Sequence, residues 1–200
     1  MSEIKNVIFD LGGVVVKWDP VGVLNGFKGD PAITRYIRER GFFADYWRDY
    51  DKGTLSREKL VERTAALIGC SEESCEEFIL HVMNSLDTLP GTEELIKELS
   101  GKGYRLYCLS NMSVEFYDYL KVRDVFNYFD GQIISALEHM VKPEREIYEL
   151  ILNRFHLKAE ESLFIDDLLP NIEAARKLGI QTVHFSLRPN IYETIREKLR

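Results

Sequence analysis

The stretch VIFDLGGVVV, residues 7–16, decides how this chain is read. An apolar run from Val7 to Phe9 stops on Asp10, and Gly12 and Gly13 interrupt the chain before apolar residues resume. A short continuous apolar run is the pattern of a strand covered on both faces. A carboxylate at its end is either a turn former or a reactive group aimed out of a sheet's carboxyl edge, with the glycines letting the backbone turn tightly beside it. Four later runs repeat the strand pattern: RLYCLSN (105–111), GQIISA (131–136), SLFIDD (162–167) and QTVHFS (181–186).

Helical patterns separate these runs. GTEELIKELSGKG (91–103) offers Thr92 as an N-cap and glycine at its end, and SVEFYDYLKV (113–122) starts from Ser113. KPEREIYELILNRF (142–155) carries Pro143 near its first turn, with Ile147, Leu150 and Ile151 on one face, and NIEAARKLGI (171–180) stops at Gly179. Alternating strands and helices predict an α/β fold, a Rossmann-like doubly wound parallel sheet.

From about Trp18 to Leu89 the alternation breaks. SREKLVERTAALIG (56–69) runs from a capping Ser56 to Gly69, and SEESCEEFILHVMNSL (71–86) starts at Ser71 with acids in its first turn. The expected organisation is a core of residues 1–17 and 88–200 with an all-helical cap, residues 18–87, inserted after the first strand.

With 200 residues, 45% hydrophobic and 30% charged, the chain has ordinary globular composition. A net charge of −7 with no basic cluster argues against nucleic acid and anionic membrane as partners. No apolar run approaches bilayer length, and residues 1–16 lack the basic segment and long apolar stretch of a secretory signal. Cys70, Cys75 and Cys108 form no CxxC pair, and an odd count suits a reduced compartment. A cytoplasmic protein, monomer or homodimer, acting on a small molecule is the expectation.

In open α/β sheets ligands gather beyond the carboxyl ends of the strands. Asp10, Ser110, Asn111, Asp166 and Asp167 all fall at such ends, and Lys142 stands just before a helix. Several carboxylates with one lysine and one hydroxyl suit phosphoryl chemistry: the acids hold a hard cation such as Mg²⁺, and the lysine and hydroxyl hold phosphate oxygens. Taken singly, each has a plainer reading. Asp10 suits a turn, one of Asp166 and Asp167 suffices to cap a helix near Pro170, Ser110 suits a local backbone bond, and Lys142 suits the surface. Two adjacent acids, however, repel unless a cation sits between them. The four histidines are scattered, and Cys108 reads as a small core hydrophobe. Phe42, Phe43, Tyr46, Trp47 and Tyr50 read mainly as cap core, with Trp47 the candidate to face the cleft and stack on a substrate.

FDLGGV, LSN, KPE and FIDDLLPNIEAARKLG, in that order, resemble the haloacid dehalogenase superfamily, and specifically its phosphatases with a helical cap after the first strand. FIDDLLPNIEAARKLGI and YDKGTLS look like the subgroup containing bacterial sugar-1-phosphate phosphatases and the phosphatase domain of bifunctional epoxide hydrolases. The resemblance implies that Asp10 takes the phosphoryl group as an aspartyl-phosphate. It gives Gly12 a backbone carbonyl role toward Mg²⁺, makes Asp166 the direct metal ligand with Asp167 beside it, and has Asn171 support them. Ser110 and the Asn111 N–H would hold phosphate oxygens, and Lys142 would neutralise the carboxylates. The implied substrate is a small phosphorylated metabolite, a sugar phosphate such as glucose 1-phosphate.

Gly12 departs from the wider pattern, in which an Asp two residues after the nucleophile supplies acid–base help of about 10²- to 10⁴-fold. A phosphatase with a leaving group that needs less help, or with proton work moved to water or a cap residue, is the leading reading. A 2-haloacid dehalogenase and a catalytically weak binding or regulatory protein are the alternatives. The acid pair favours phosphate over the former, and the joint presence of Asp10, Lys142 and Asp166 argues against the latter. A phosphomutase, which needs the missing acid in both half-reactions, is disfavoured.

Overall fold

A computed structural model describes residues 3–42 and 44–199. Five strands, β1 (Asn6–Phe9), β2 (Arg105–Ser110), β3 (Gly131–Ile134), β4 (Ser162–Asp166) and β5 (Gln181–His184), form one sheet in the order β3-β2-β1-β4-β5. Every pairing is parallel. The predicted doubly wound sheet is therefore present, and its order reverses between β1 and β4, the place where such sheets open a crevice. Phe9 pairs with Cys108 on one side and Ile165 on the other. One residue further on, Asp10 stands at the middle of the carboxyl edge beside Asp166.

Between β1 and β2 come α1 (Pro20–Gly26), α2 (Pro31–Arg40), α3 (Trp47–Asp51), α4 (Arg57–Ile68), α5 (Glu72–Asn84) and α6 (Pro90–Gly101). After β2 follow α7 (Val114–Leu120), α8 (Ser135–Glu138), α9 (Arg145–Arg154), α10 (Leu169–Lys177) and α11 (Ile191–Lys198). Strand alternation divides the core. Val7 and Phe9 face one cluster with Leu95 and Ile96 of α6, Phe116 of α7 and Ile195 of α11. Ile8, Leu109 and Phe164 face the other with Ile147 and Ile151 of α9 and Ile172 of α10. Covered on both faces, β1 is buried at all four positions.

Helix α4 begins at a capping Ser56, α5 at Ser71 and α7 at Ser113, each hydroxyl accepting the backbone N–H three residues on. Thr92 does not cap α6. Pro90 sets the first helical residue after Leu89, so the helix starts earlier, and buried Thr92 bonds the Tyr192 hydroxyl at 3.2 Å. Pro143 likewise lies outside α9. Glu144 N–H donates to the Val141 carbonyl at 2.8 Å, closing a turn that holds Lys142 before the helix starts at Arg145.

In α1–α5 the aromatic residues carry much of the packing. Phe78 meets Phe27 edge-on at 5.0 Å and Phe42 at 5.9 Å, and Phe42 meets Trp18 at 5.0 Å. Phe43, part of the aromatic stripe read from sequence, lies outside the described residues. Among the described residues no helix is long and apolar enough to cross a membrane.

Candidate active site

The ends of β1, β2 and β4 converge with the loop before α9. Lys142 Nζ stands between two carboxylates, 2.8 Å from Asp10 Oδ1 and 2.7 Å from Asp166 Oδ2, and its side chain is 1% exposed. A buried ammonium with two charged partners is held, because removing either side strands a charge. Burial alone would lower the lysine's pKa, but Asp10 and Asp166 outweigh it and hold the group charged. Asp166 is saturated further: Asn171 Nδ2 donates to both of its oxygens at 3.0 and 3.1 Å, and Leu168 N–H donates to Oδ1 at 2.8 Å. On Asp10, Oδ1 takes both the lysine and the Leu11 N–H at 2.7 Å.

Oxygens of Asp10, Asp166 and Asp167 lie within 4.8 Å of one another. Burial, reinforced by Asp166 and Asp167 and opposed by Lys142, pushes Asp10 up to about 8. Burial and then Asp166 push Asp167 up to about 6. One lysine does not balance three crowded acids, and an all-oxygen donor set of this kind fits a hard divalent cation. The backbone supports the crowding at one point: Gly13 has φ +75°, and a side chain there would collide with the Asp167 carboxylate. Gly12 does not share that need. A Cβ added at Gly12 meets nothing within 4 Å, so the absent side chain opens space in the cleft rather than easing a turn.

Ser110, at the end of β2, lines the same cleft and is buried. Asn111 does something its place in the sequence did not announce. Its side chain accepts the Lys142 N–H at 2.7 Å and donates to the Lys142 carbonyl at 2.9 Å, pinning the loop that presents the lysine. Trp47 also reaches the cleft, packed edge-on against Phe116 at 6.0 Å and Tyr50 at 6.1 Å. Asp10, Gly12, Trp47, Ser110, Asn111, Lys142 and Asp167 thus line one cleft, and Asp166 lies fully buried beside it, 2.7 Å from Lys142 Nζ.

Two features were not foreseen. Asp51, at the end of α3, lines the cleft with Asp10 and Gly12. Surrounding protein holds its carboxyl well above the usual range, against the Ser113 N–H and the Trp47 indole N–H that donate to it. The segment around it also docks on the core. Ser135 Oγ donates to the Asp51 carbonyl at 2.5 Å, Gly53 (φ +73°) lies against the Ala136 carbonyl, and Arg48 and Lys52 reach Glu144 at 3.3 and 3.2 Å. Only the four-residue spacing of Trp47 and Asp51 signals this in sequence.

Residues 4–179 match the haloacid dehalogenase-like hydrolase family. The chain belongs to that family. This hydrolase is 26% identical over 188 residues to a sesquiterpene phosphatase, AstK, of Aspergillus oryzae, covering 92% of this chain and 91% of that protein. It is 26% identical over 198 residues to a D-ribitol-5-phosphate phosphatase of Bacteroides thetaiotaomicron, covering 90% of each. Two other relatives are much longer, and the hydrolase spans 35% and 18% of their lengths. A HAD-family enzyme of Bacteroides thetaiotaomicron, solved in complex with magnesium and inorganic phosphate, superposes with a TM-score of 0.75 at 25% identity, covering 92% of this chain and 94% of that one.

Proposed function

We propose that this hydrolase is a Mg²⁺-dependent phosphohydrolase that cleaves a small phosphate monoester through an aspartyl-phosphate on Asp10. The observation that carries the reading is Lys142 buried between Asp10 and Asp166, with Asp167 completing a triad of carboxylates at the centre of the sheet edge. A dehalogenase, attacking carbon, has no use for the added acids. The two relatives and the magnesium–phosphate complex described above support the phosphate reading by analogy.

Asp10, Asp166, Asp167 and the Gly12 carbonyl are the groups that would hold Mg²⁺. When bound, the ion supplies charge to neutralise the phosphate oxygens and the carboxylates around them. The Asp10 carboxylate attacks phosphorus as the bond to the ester oxygen breaks, splitting one difficult displacement into two. Lys142 stays charged throughout, and Ser110 with the Asn111 N–H orients the phosphate oxygens. The departing alkoxide must take a proton, and Gly12 has none to give. Asp51 is the cap carboxyl on the cleft wall, and the surrounding protein raises its affinity for a proton, so we assign it that step. Water then attacks the aspartyl-phosphate, releasing phosphate, regenerating the Asp10 carboxylate and returning a proton to Asp51.

In this reading residues 18–87 act as a cap over a core of 1–17 and 88–200. Three free cysteines suit a cytoplasmic setting. A sugar phosphate such as glucose 1-phosphate remains the substrate implied by resemblance. The named relatives act on both an apolar and a polyol ester, so the walls of the cleft must decide. The test is phosphate release from p-nitrophenyl phosphate with and without Mg²⁺: the wild type is active only with the metal, and Asp10→Asn is inactive. Metal-independent halide release from 2-chloropropionate without phosphatase activity would replace this reading with the dehalogenase.

A further inference from the structure

The cleft holding Asp10 is about 280 Å³ and has two unlike kinds of lining. Its carboxylates, lysine and amides gather at the sheet edge. Beyond them the walls are carbon: Trp18, Trp47, Val82, Leu86, Met112 and Phe116. Among the described residues, the cap sends only two charged side chains to this cleft, Arg48 and Asp51, and both are engaged. Arg48 reaches Glu144 at 3.3 Å, and Asp51 accepts from Trp47 and Ser113. Trp47 thereby spends its one polar group on Asp51 and shows the cleft ring carbon.

A polyol fits such a wall badly. Each hydroxyl taken from water without a partner loses on the order of tenfold to a hundredfold in affinity. A hydrocarbon gains about three- to fourfold per buried methylene. We propose that the preferred substrates are monophosphate esters of apolar alcohols, the phosphate at Asp10 and the hydrocarbon body against Trp47, Met112 and Phe116. This rests on the phosphohydrolase reading and names its substrate class. It also gives the open space at Gly12 a use, since no side chain there intrudes between the phosphate and the apolar wall.

Recognition and chemistry are read separately. Asp10→Asn in Mg²⁺ buffer is titrated calorimetrically with butyl, hexyl and octyl phosphate and with glucose 1-phosphate. Affinity should rise about a hundredfold from butyl to octyl phosphate, with glucose 1-phosphate weaker than hexyl phosphate. Met112→Gln, close to isosteric, should cut the gain per methylene to less than about twofold. Flat affinity along the series, or tightest binding of glucose 1-phosphate, overturns the proposal. In the wild type, kcat/KM for phosphate release should follow the same order. A chain-length series in binding with no Mg²⁺-dependent release from any ester, p-nitrophenyl phosphate included, overturns the hydrolytic reading and leaves apolar recognition standing.

Discussion

The sheet edge and the α1–α5 segment are held together by opposite means. At the edge, Lys142, Asp10 and Asp166 are ionisable groups buried to a few per cent exposure, kept there only because each has partners. Across α1–α5, Phe27, Phe78, Ile79 and Val82 are buried by shape and area alone. The first arrangement is fragile, since losing one member strands the others, but it is poised to exchange a proton or bind a cation. The second contributes stability without reactivity, and where it reaches the cleft it lines the wall with Val82, Leu86 and Trp47. In the proposed reading chemistry and selectivity reside in different physical materials, with Asp51 the one reactive group that the α1–α5 segment adds.

That contrast can be broken in order of effect. Asp10→Asn should lower phosphate release at least about 10³-fold while the far-UV circular dichroism stays unchanged, as for loss of a nucleophile. Lys142→Ala and Phe78→Ala should each cost about 3–5 kcal/mol in urea unfolding, for different reasons: an uncompensated buried charge in one, a cavity in the other. Mg²⁺ separates them, restoring part of the Tm lost in Lys142→Ala and no more than the wild-type increment in Phe78→Ala. Equal responses would dissolve the distinction. Asp51→Asn should reduce turnover of octyl phosphate by about 10²-fold and that of p-nitrophenyl phosphate, whose leaving group needs no proton, by only about twofold.

pH sharpens the same contrast. Asp10, at about 8, and Asp167, at about 6, are raised above the 3.8 expected unfolded, so they favour the metal-free fold below about pH 4 and lose that contribution as pH rises through their folded values. Mg²⁺ competes with those protons. The Tm increment from Mg²⁺ should therefore grow from pH 6 to pH 8 in the wild type and grow less in Asp10→Asn, as thermal melts would show. The smallest effect is expected at Glu144, bridged by partly exposed Arg48 and Lys52, where Glu144→Gln should cost less than about 1 kcal/mol.

Much of this was legible in sequence because a doubly wound sheet announces its edge. An apolar run that ends on Asp10, Ser110 or Asp166 marks both a strand and the point where its chain emerges. Local competition explains the helix starts that were misread, since Pro90 fixes the backbone before Thr92 can cap it. What stayed hidden depends on pairing across distance. Asn111 grips the backbone of Lys142, 31 residues away, and nothing in LSN distinguishes that from the phosphate contact alone. Val82 and Met112, on the cleft wall, have the same apolar character as Ile79 and Phe126 in the core, and only the tertiary arrangement decides which face is left open. Asp51 carries no signal in sequence because a carboxylate at a helix end is ordinary there.

The central claim is that Asp10 carries the phosphoryl group. Enzyme quenched during steady turnover of p-nitrophenyl phosphate with Mg²⁺, then reduced with borohydride, should show Asp10 converted to homoserine in peptide mass spectra, with no conversion in the absence of substrate or metal. Continued Mg²⁺-dependent phosphate release with Asp10 unmodified, or release that survives in Asp10→Asn, would contradict it.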